Sequence, residues 1–151
     1  MLDRILDPRN LGSCIRSAYA FDVKNIIITD RNSCPINKTV EKVSKIYNIE
    51  KNINILKVNN ICNIISILKD KNFVVIGTSL KSNIYLDKIK LYHYNIALIV
   101  GSEHCGIRSN ILRKCDKIVK IPINNINSLN VSVATGIFLF EIIRQKLKKN
   151  I

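Results

Sequence analysis

Short runs of β-branched and aliphatic residues recur along the chain at Ile26–Ile28, Ile53–Val58, Phe73–Gly77, Ile96–Gly101 and Ile118–Ile121. Asp, Asn or Gly bounds most of them, and each has the length of a buried strand. Helix-length segments lie between them, at Leu11–Phe21, about Val40–Ile46 and Ile61–Lys69. In the last of these, Ile61, Ile64, Ile65 and Leu68 fall at helical spacing. A further short strand is expected at Leu2–Leu6. Strands alternating with helices predict an α/β domain with a mostly parallel sheet flanked by helices.

The C-terminal segment is patterned differently. From Val131 to Ile143 only Ser132, Thr135, Gly136 and Glu141 interrupt the apolar character, and Arg144-Gln145-Lys146 then closes it. Asn130 is placed to cap this helix, and its basic end suits the helix dipole. A helix that is apolar nearly all round is buried on most sides. The core is expected on one side and a second subunit on the other. No internal repeat or Gly/Ser/Pro-rich linker divides the chain, so residues 1–151 are read as one domain.

Composition changes this picture in two respects. Ile, Asn and Lys supply 65 of 151 residues, a bias expected of A+T-rich codons, so surface Asn and Lys carry little information. The net charge of +13 nevertheless points to an anionic partner, most simply nucleic acid. Lysine drift accounts for part of that charge. The arginines are more telling, because Arg4, Arg9, Arg16 and Arg31 crowd the first 31 residues. No apolar run approaches a membrane span and no signal peptide opens the chain, so a cytoplasmic protein without a membrane partner is expected. Five cysteines with no C-x-x-C pair suggest neither a zinc cage nor a disulfide framework.

Glycine is scarce, and Gly77 and Gly101 each end an expected strand, where α/β sheets bind ligands and where ordinary turn chemistry is the plainer alternative. Neither a dinucleotide-binding nor a P-loop glycine pattern is present. Three polar clusters stand in otherwise apolar surroundings: Asp7–Gly12 followed by Arg16, Gly101–Gly106, and Asn127–Asn130. A helix starting near Asn10 would stack Gly12 and Arg16 on one face. Each cluster alone reads as a capping loop, although Glu103 directly after a strand end is less easily explained that way. His93 and His104 have no partners at metal-ligand or triad spacing.

In this order, the three clusters resemble the SpoU branch of the SPOUT RNA ribose 2′-O-methyltransferases. Asp7-Pro-Arg-Asn-Leu-Gly-Ser-Cys-Ile-Arg-Ser-Ala18 is similar to the family's first motif, and Leu98-Ile-Val-Gly-Ser-Glu-His-Cys-Gly-Ile-Arg108 to its second. Ile121-Pro122 followed by Asn127–Glu141 is similar to the third. The correspondence runs over essentially the whole chain. Cys115-Asp116, Ser128 through Glu141, and Arg144-Gln145 look most like the bacterial enzymes that methylate a guanosine of large-subunit (23S) rRNA.

The resemblance implies an α/β fold whose C-terminal part forms a trefoil knot, contrary to the general rarity of knots. It also implies a homodimer, and S-adenosyl-L-methionine held by loops at Gly77-Thr78, at Gly101 and from Ile121 to Leu129. Arg16 is its candidate for favouring the ribose alkoxide, with Asn10 and Glu103 orienting Arg16 and the ribose, and Ser128 and Asn130 shaping the pocket. RNA phosphates are expected to meet Arg4, Arg9, Arg31 and Arg108; no metal is expected. The departures are Asp22 and His104 where glycine is common, a loop Ile123–Asn127 that lacks glycine, and no expected N-terminal RNA-binding domain. A tRNA guanosine as target, or an inactive RNA-binding dimer, are the alternative readings.

Overall fold

A computed structural model describes residues 1–148. Six strands form one sheet in the order β3-β2-β1-β5-β4-β6, and every pairing is parallel. The strands are β1 (Leu2–Asp3), β2 (Asn25–Thr29), β3 (Asn54–Val58), β4 (Phe73–Thr78), β5 (Asn95–Gly101) and β6 (Lys117–Val119). The longer helices are α1 (Pro8–Ala20), α2 (Lys38–Ser44), α4 (Ile61–Asp70) and α6 (Val131–Lys148). Short pieces that hydrophobic spacing did not reveal complete the fold: α3 (Ile49–Asn52), α5 (Ser109–Leu112) and a 3₁₀ turn at Leu86–Lys88. Runs of three or four residues are too short to carry a period.

Two boundaries differ from expectation for local reasons. β1 stops at Asp3 and not at Leu6, because Arg4 takes a left-handed backbone with φ of 59°. α1 starts at Pro8, ahead of Asn10. Asp7 accepts the Arg9 N–H at 2.8 Å, and Pro8 supplies a helix-ready φ at a position whose N–H would have no partner. The departures at Asp22 and in the 123–127 loop also find an account. Asp22 and Asn125 both have φ of 56°, and the short polar side chains that tolerate this backbone stand in for glycine.

Both faces of the sheet are covered, as parallel sheets require. On one side, α1, α2 and α6 bury Ile5, Leu11, Ile15, Ile28 and Leu139. Next to them, Phe138 and Ile142 of α6 pack with Ile76, Leu91 and Val119. On the other side, α4 and α5 enclose Ile61, Ile65, Val75, Ile99 and Ile111. Asn130 caps α6 as expected, accepting the Ser132 N–H at 2.9 Å. Among the described residues, no helix is long and apolar enough to cross a membrane.

Candidate functional site

A cavity of about 640 Å³ opens at the carboxyl ends of β4, β5 and β6, where open α/β sheets place their ligands. Its wall mixes apolar side chains, Leu80, Ile121, Ile123, Leu129 and Phe138, with polar ones, Ser102, Glu103, His104 and Ser128. The volume lies within the range of small-molecule sites, which are mostly apolar with a few fixed polar groups. Between Ile121 and Leu129, the only backbone–backbone bond among the described residues runs from Ile126 N–H to Asn124 C=O at 2.5 Å. The remaining amides of that loop are free to read the edge of a ligand.

The strand-end glycines have a reason that neither ligand approach nor turn chemistry supplies. A Cβ on Gly101 would stand 2.1 Å from Gly106 C and 2.2 Å from Ile107 N, so the polar loop can fold back on the strand end only over a glycine. A Cβ on Gly77 would meet Cys115 Sγ at 2.7 Å. Gly101 lines the cavity. Gly77 backs onto Leu112 of α5 and Cys115, and the next residue, Thr78, lines the cavity with Ile121 and Leu129.

The three polar clusters converge through side-chain amides. Asn10 Nδ2 donates to Glu103 Oε1, and Asn130 Nδ2 donates to Asn10 Oδ1 at 3.0 Å. Asn130 Oδ1 in turn accepts from the N–H and Oγ of Ser132. The carboxylate of Glu103 is thus held by the first turn of α1 through Asn10, which is itself held by Asn130, the cap of α6. Cys14 lies beneath, buried, with Sγ 3.5 Å from Thr135 Oγ1. Burial chiefly pushes its thiol up to about 11, helped by the nearby Glu103 and opposed by the Thr135 hydroxyl. Cys105, on the cavity wall, is exposed.

The arginines separate into two groups. Arg108 is committed: its guanidinium reaches Asp3 Oδ1 at 2.8 and 3.1 Å and Oδ2 at 3.2 Å, and its backbone N–H bonds Oδ2 at 3.2 Å. Asp3 is 0% exposed, so Arg108 ties the polar loop to β1, while its own side chain stays 35% exposed at the cavity wall. Arg4 leans on the same carboxylate, with Nε 3.9 Å from Oδ2. Arg9 and Arg31 face solvent. Arg16 is also exposed, makes no side-chain hydrogen bond or ion pair among the described residues, and lies outside the cavity. Six positions separate it from Asn10, which puts the two on different faces of α1. Within one chain, Asn10 and Glu103 bond each other and not Arg16. Among the described residues, no group of three or more His, Cys, Asp and Glu side chains comes together.

Residues 1–140 match the SpoU rRNA Methylase family. The chain is 44% identical to the 23S rRNA (guanosine-2'-O-)-methyltransferase RlmB of Blochmanniella floridana over 99% of its own length and 58% of that protein's. Identity to the RlmB of Escherichia coli K12 is 35% over 97% of this chain and 59% of the relative. The chain thus spans less than two thirds of the length of these curated relatives. Among solved structures, the A. aeolicus TrmH/SpoU tRNA modifying enzyme superposes with a TM-score of 0.86 at 29% identity, covering 99% of this chain and 75% of the other. The AdoMet-bound rRNA methyltransferase from Sinorhizobium meliloti gives 0.85 at 28% identity, covering 95% and 54%.

Proposed function

Because the chain belongs to the SpoU rRNA Methylase family, we propose that it transfers a methyl group from S-adenosyl-L-methionine to a ribose 2′-hydroxyl of RNA, a guanosine of 23S rRNA. The observation that carries this reading is the side-chain chain Asn130–Asn10–Glu103, which ends in the wall of a cavity lined by both apolar and polar residues. The cavity fits the cofactor on its own chemistry. Ile121, Leu129 and Phe138 suit an adenine face, free loop amides suit its edge, and the polar side chains suit the charged methionine end. When bound, S-adenosylmethionine supplies an electrophilic methyl group on a sulfonium.

The rest falls to this chain's residues. An alcohol is a weak nucleophile at neutral pH, so charge developing on the ribose oxygen must be stabilised as its proton leaves. Arg16 is suited to this as a permanent cation with a planar donor fork. Glu103, held by Asn10, is aimed to orient the ribose, and Ser128 borders the same opening. Isothermal titration with S-adenosylmethionine, followed by mapping of 2′-O-methyl groups on 23S rRNA and on tRNA, tests the reading. No cofactor uptake leaves an RNA-binding protein, and methylation confined to tRNA moves the target.

Thiol labelling gives a second readout of the pocket. Thiolates are the reactive form, and Cys115, like Cys14, is raised to about 11, in its case by burial first and by Asp116 as well. Both are therefore neutral near pH 7.5. At pH 7.5, iodoacetamide is expected to modify Cys105 well before Cys14 and Cys115, and saturating S-adenosylmethionine to slow Cys105 several-fold. Labelling of Cys105 at an unchanged rate would place the cofactor elsewhere.

The proposed active form is a homodimer. Val131, Phe138, Leu139 and Ile142 of α6 turn inward, but Val133, Ile137 and Phe140 stay 51%, 37% and 53% exposed. Phe140 meets Phe21, the residue that follows α1, edge to face with ring centroids 6.4 Å apart, and Arg16 is exposed on α1. A two-fold copy laid on the patch covers it and carries Arg16 toward the partner's cavity. Phe140→Glu is expected to sediment as a folded monomer without transfer activity, whereas Phe138→Glu, at a core position, unfolds. A folded, fully active Phe140→Glu monomer would refute the dimer.

The family's knotted threading belongs to the same reading. What supports it is the segment 79–91, which is clamped to two later parts of the chain. Leu86 N–H and Ile84 C=O bond Lys120, and Ile89 C=O and Leu91 N–H bond the Gln145 side chain at 3.0 and 2.8 Å.

A further inference from the structure

The segment that follows β4 runs along the outer edge of β6 and is latched to it. Ser79 N–H donates to Val119 C=O at 3.0 Å, and the buried Ser82 donates its hydroxyl to Ile118 C=O at 2.6 Å. The same hydroxyl accepts the Ile84 N–H at 3.0 Å. Tyr85 then pairs with Lys120 in a parallel bridge: Leu86 N–H donates to Lys120 C=O and Lys120 N–H to Ile84 C=O, both at 2.9 Å. Leu86 is buried against Val119 and its neighbours. The backbone on both sides of Tyr85 is thus fixed, yet Tyr85 itself is 41% exposed.

An exposed tyrosine alone says little. Two observations set this one apart. Lys120 Nζ lies 5.0 Å from the centre of the Tyr85 ring, a cation–π contact, and among the described residues no other aromatic ring has such a cation. Lys120 also lines the cavity, together with Leu80 and Lys81, so the ring stands just outside the cavity mouth. Lys120 follows β6 and Glu103 follows β5, with β4 between them. Two strand spacings, about 10 Å, therefore separate the two strand ends. The local charge is positive. Residues 79–91 carry Lys81, Lys88 and Lys90 against Asp87, which Lys88 holds at 3.1 Å.

We propose that Tyr85, backed by Lys120, is a stacking platform for an unpaired base of RNA bound across the mouth of the cavity. The proposal rests on the methyltransferase reading given above and adds to it an RNA contact outside the catalytic cavity. Single-stranded RNA is held largely through splayed bases stacked on aromatic side chains, since every base has a flat π-face. A ring already fixed by its backbone loses little freedom when a base settles on it. Lys120 covers one face of the ring, and the exposed remainder is available to the base. The lysine charges around it attract the phosphates on either side of that base. The adenine of S-adenosylmethionine is the competing flat ligand, because Lys120 belongs to the cavity wall as well.

The chain has no tryptophan, so Tyr85→Trp introduces a single fluorescent reporter at the platform. Polyadenylate is the probe, and polyphosphate, an anion without bases, is the control; retention of labelled polymer on a filter reports binding of each. Polyadenylate is expected to quench the tryptophan about twofold or more as its bases stack, and polyphosphate to bind without quenching. Tyr85→Ala should weaken polyadenylate binding about fivefold or more, the lower end of the usual loss per stacked base. Tyr85→Phe should not weaken it, and both variants should keep their affinity for S-adenosylmethionine. Polyadenylate that fails to bind, or binds without quenching, overturns the proposal. Quenching by S-adenosylmethionine alone, to which polyadenylate adds nothing, overturns it as well, as does undiminished binding by Tyr85→Ala. Methylation of 23S rRNA by the unaltered chain is measured alongside. Methylation without quenching condemns the platform alone, and quenching without methylation condemns the reaction alone.

Discussion

Arg108→Ala is expected to cost about 3–5 kcal/mol of stability, the usual penalty for removing one partner of a buried ion pair. Asp3 has no exposure and receives the guanidinium and the backbone N–H of Arg108 together. Without the guanidinium, the buried carboxylate keeps only the backbone N–H of residue 108 and Arg4 at 3.9 Å. Arg108 itself is 35% exposed, which places the loss at the lower end of that range. It is a large share of the about 5–15 kcal/mol that holds a typical domain folded. Because the same pair ties the loop after Gly101 to β1, cofactor uptake should weaken in the same variant. The pair is tested by urea unfolding of Arg108→Ala, Asp3→Leu and the double variant Asp3→Leu/Arg108→Leu. The double variant should lose much less than the sum of single losses. A loss below about 1 kcal/mol for Arg108→Ala would mean that Asp3 finds other partners, and the usual modest worth of exposed pairs would then apply.

Arg16→Ala is expected to leave folding and S-adenosylmethionine affinity unchanged and to reduce methyl transfer at least 100-fold, about 2.7 kcal/mol of barrier at about 1.36 kcal/mol per tenfold. Removing a single preorganised donor to a developing oxyanion has effects of about this size. The side chain is exposed and has no partner among the described residues, so its loss should not disturb folding. Arg16→Lys should recover little, because a point charge does not reproduce the planar fork. Since Arg16 lies outside its own chain's cavity, mixed dimers provide the decisive measurement. Arg16→Ala mixed with Gly101→Val, a variant whose loop cannot close over the strand end, should regain activity in one site of each heterodimer. Failure of the mixture, with both variants folded and dimeric, would place Arg16's action within its own subunit. Near wild-type turnover by Arg16→Ala alone would remove the residue from the mechanism.

Local pattern was enough for most of the architecture. β-branched runs bounded by Asp, Asn or Gly became β2, β3, β4 and β5, and the spacing of Ile61, Ile64, Ile65 and Leu68 became α4. The cap at Asn130 was legible because capping needs a side chain only two residues from its target. The order of three polar clusters identified the family, since such an order survives whatever the chain does between them. By itself, then, the sequence determined the alternation of elements, the family and the roster of polar residues.

Only the tertiary structure decided what those residues touch. Asn10 meets Glu103 across 93 positions and Asn130 across 120, and Arg108 reaches Asp3 across 105. No periodicity within a segment encodes such distances, which depend on strand order and register. The same holds for Gly101, whose need for glycine comes from the backbone at Gly106 and Ile107, and for Gly77, whose neighbour is Cys115. Arg108 and Arg16 are both arginines in family motifs, yet one is spent on a buried carboxylate and the other has no partner among the described residues. Charge and residue type are properties of the chain, but solvent access and partner are properties of the packed sheet, and these separate a structural cation from one available to chemistry.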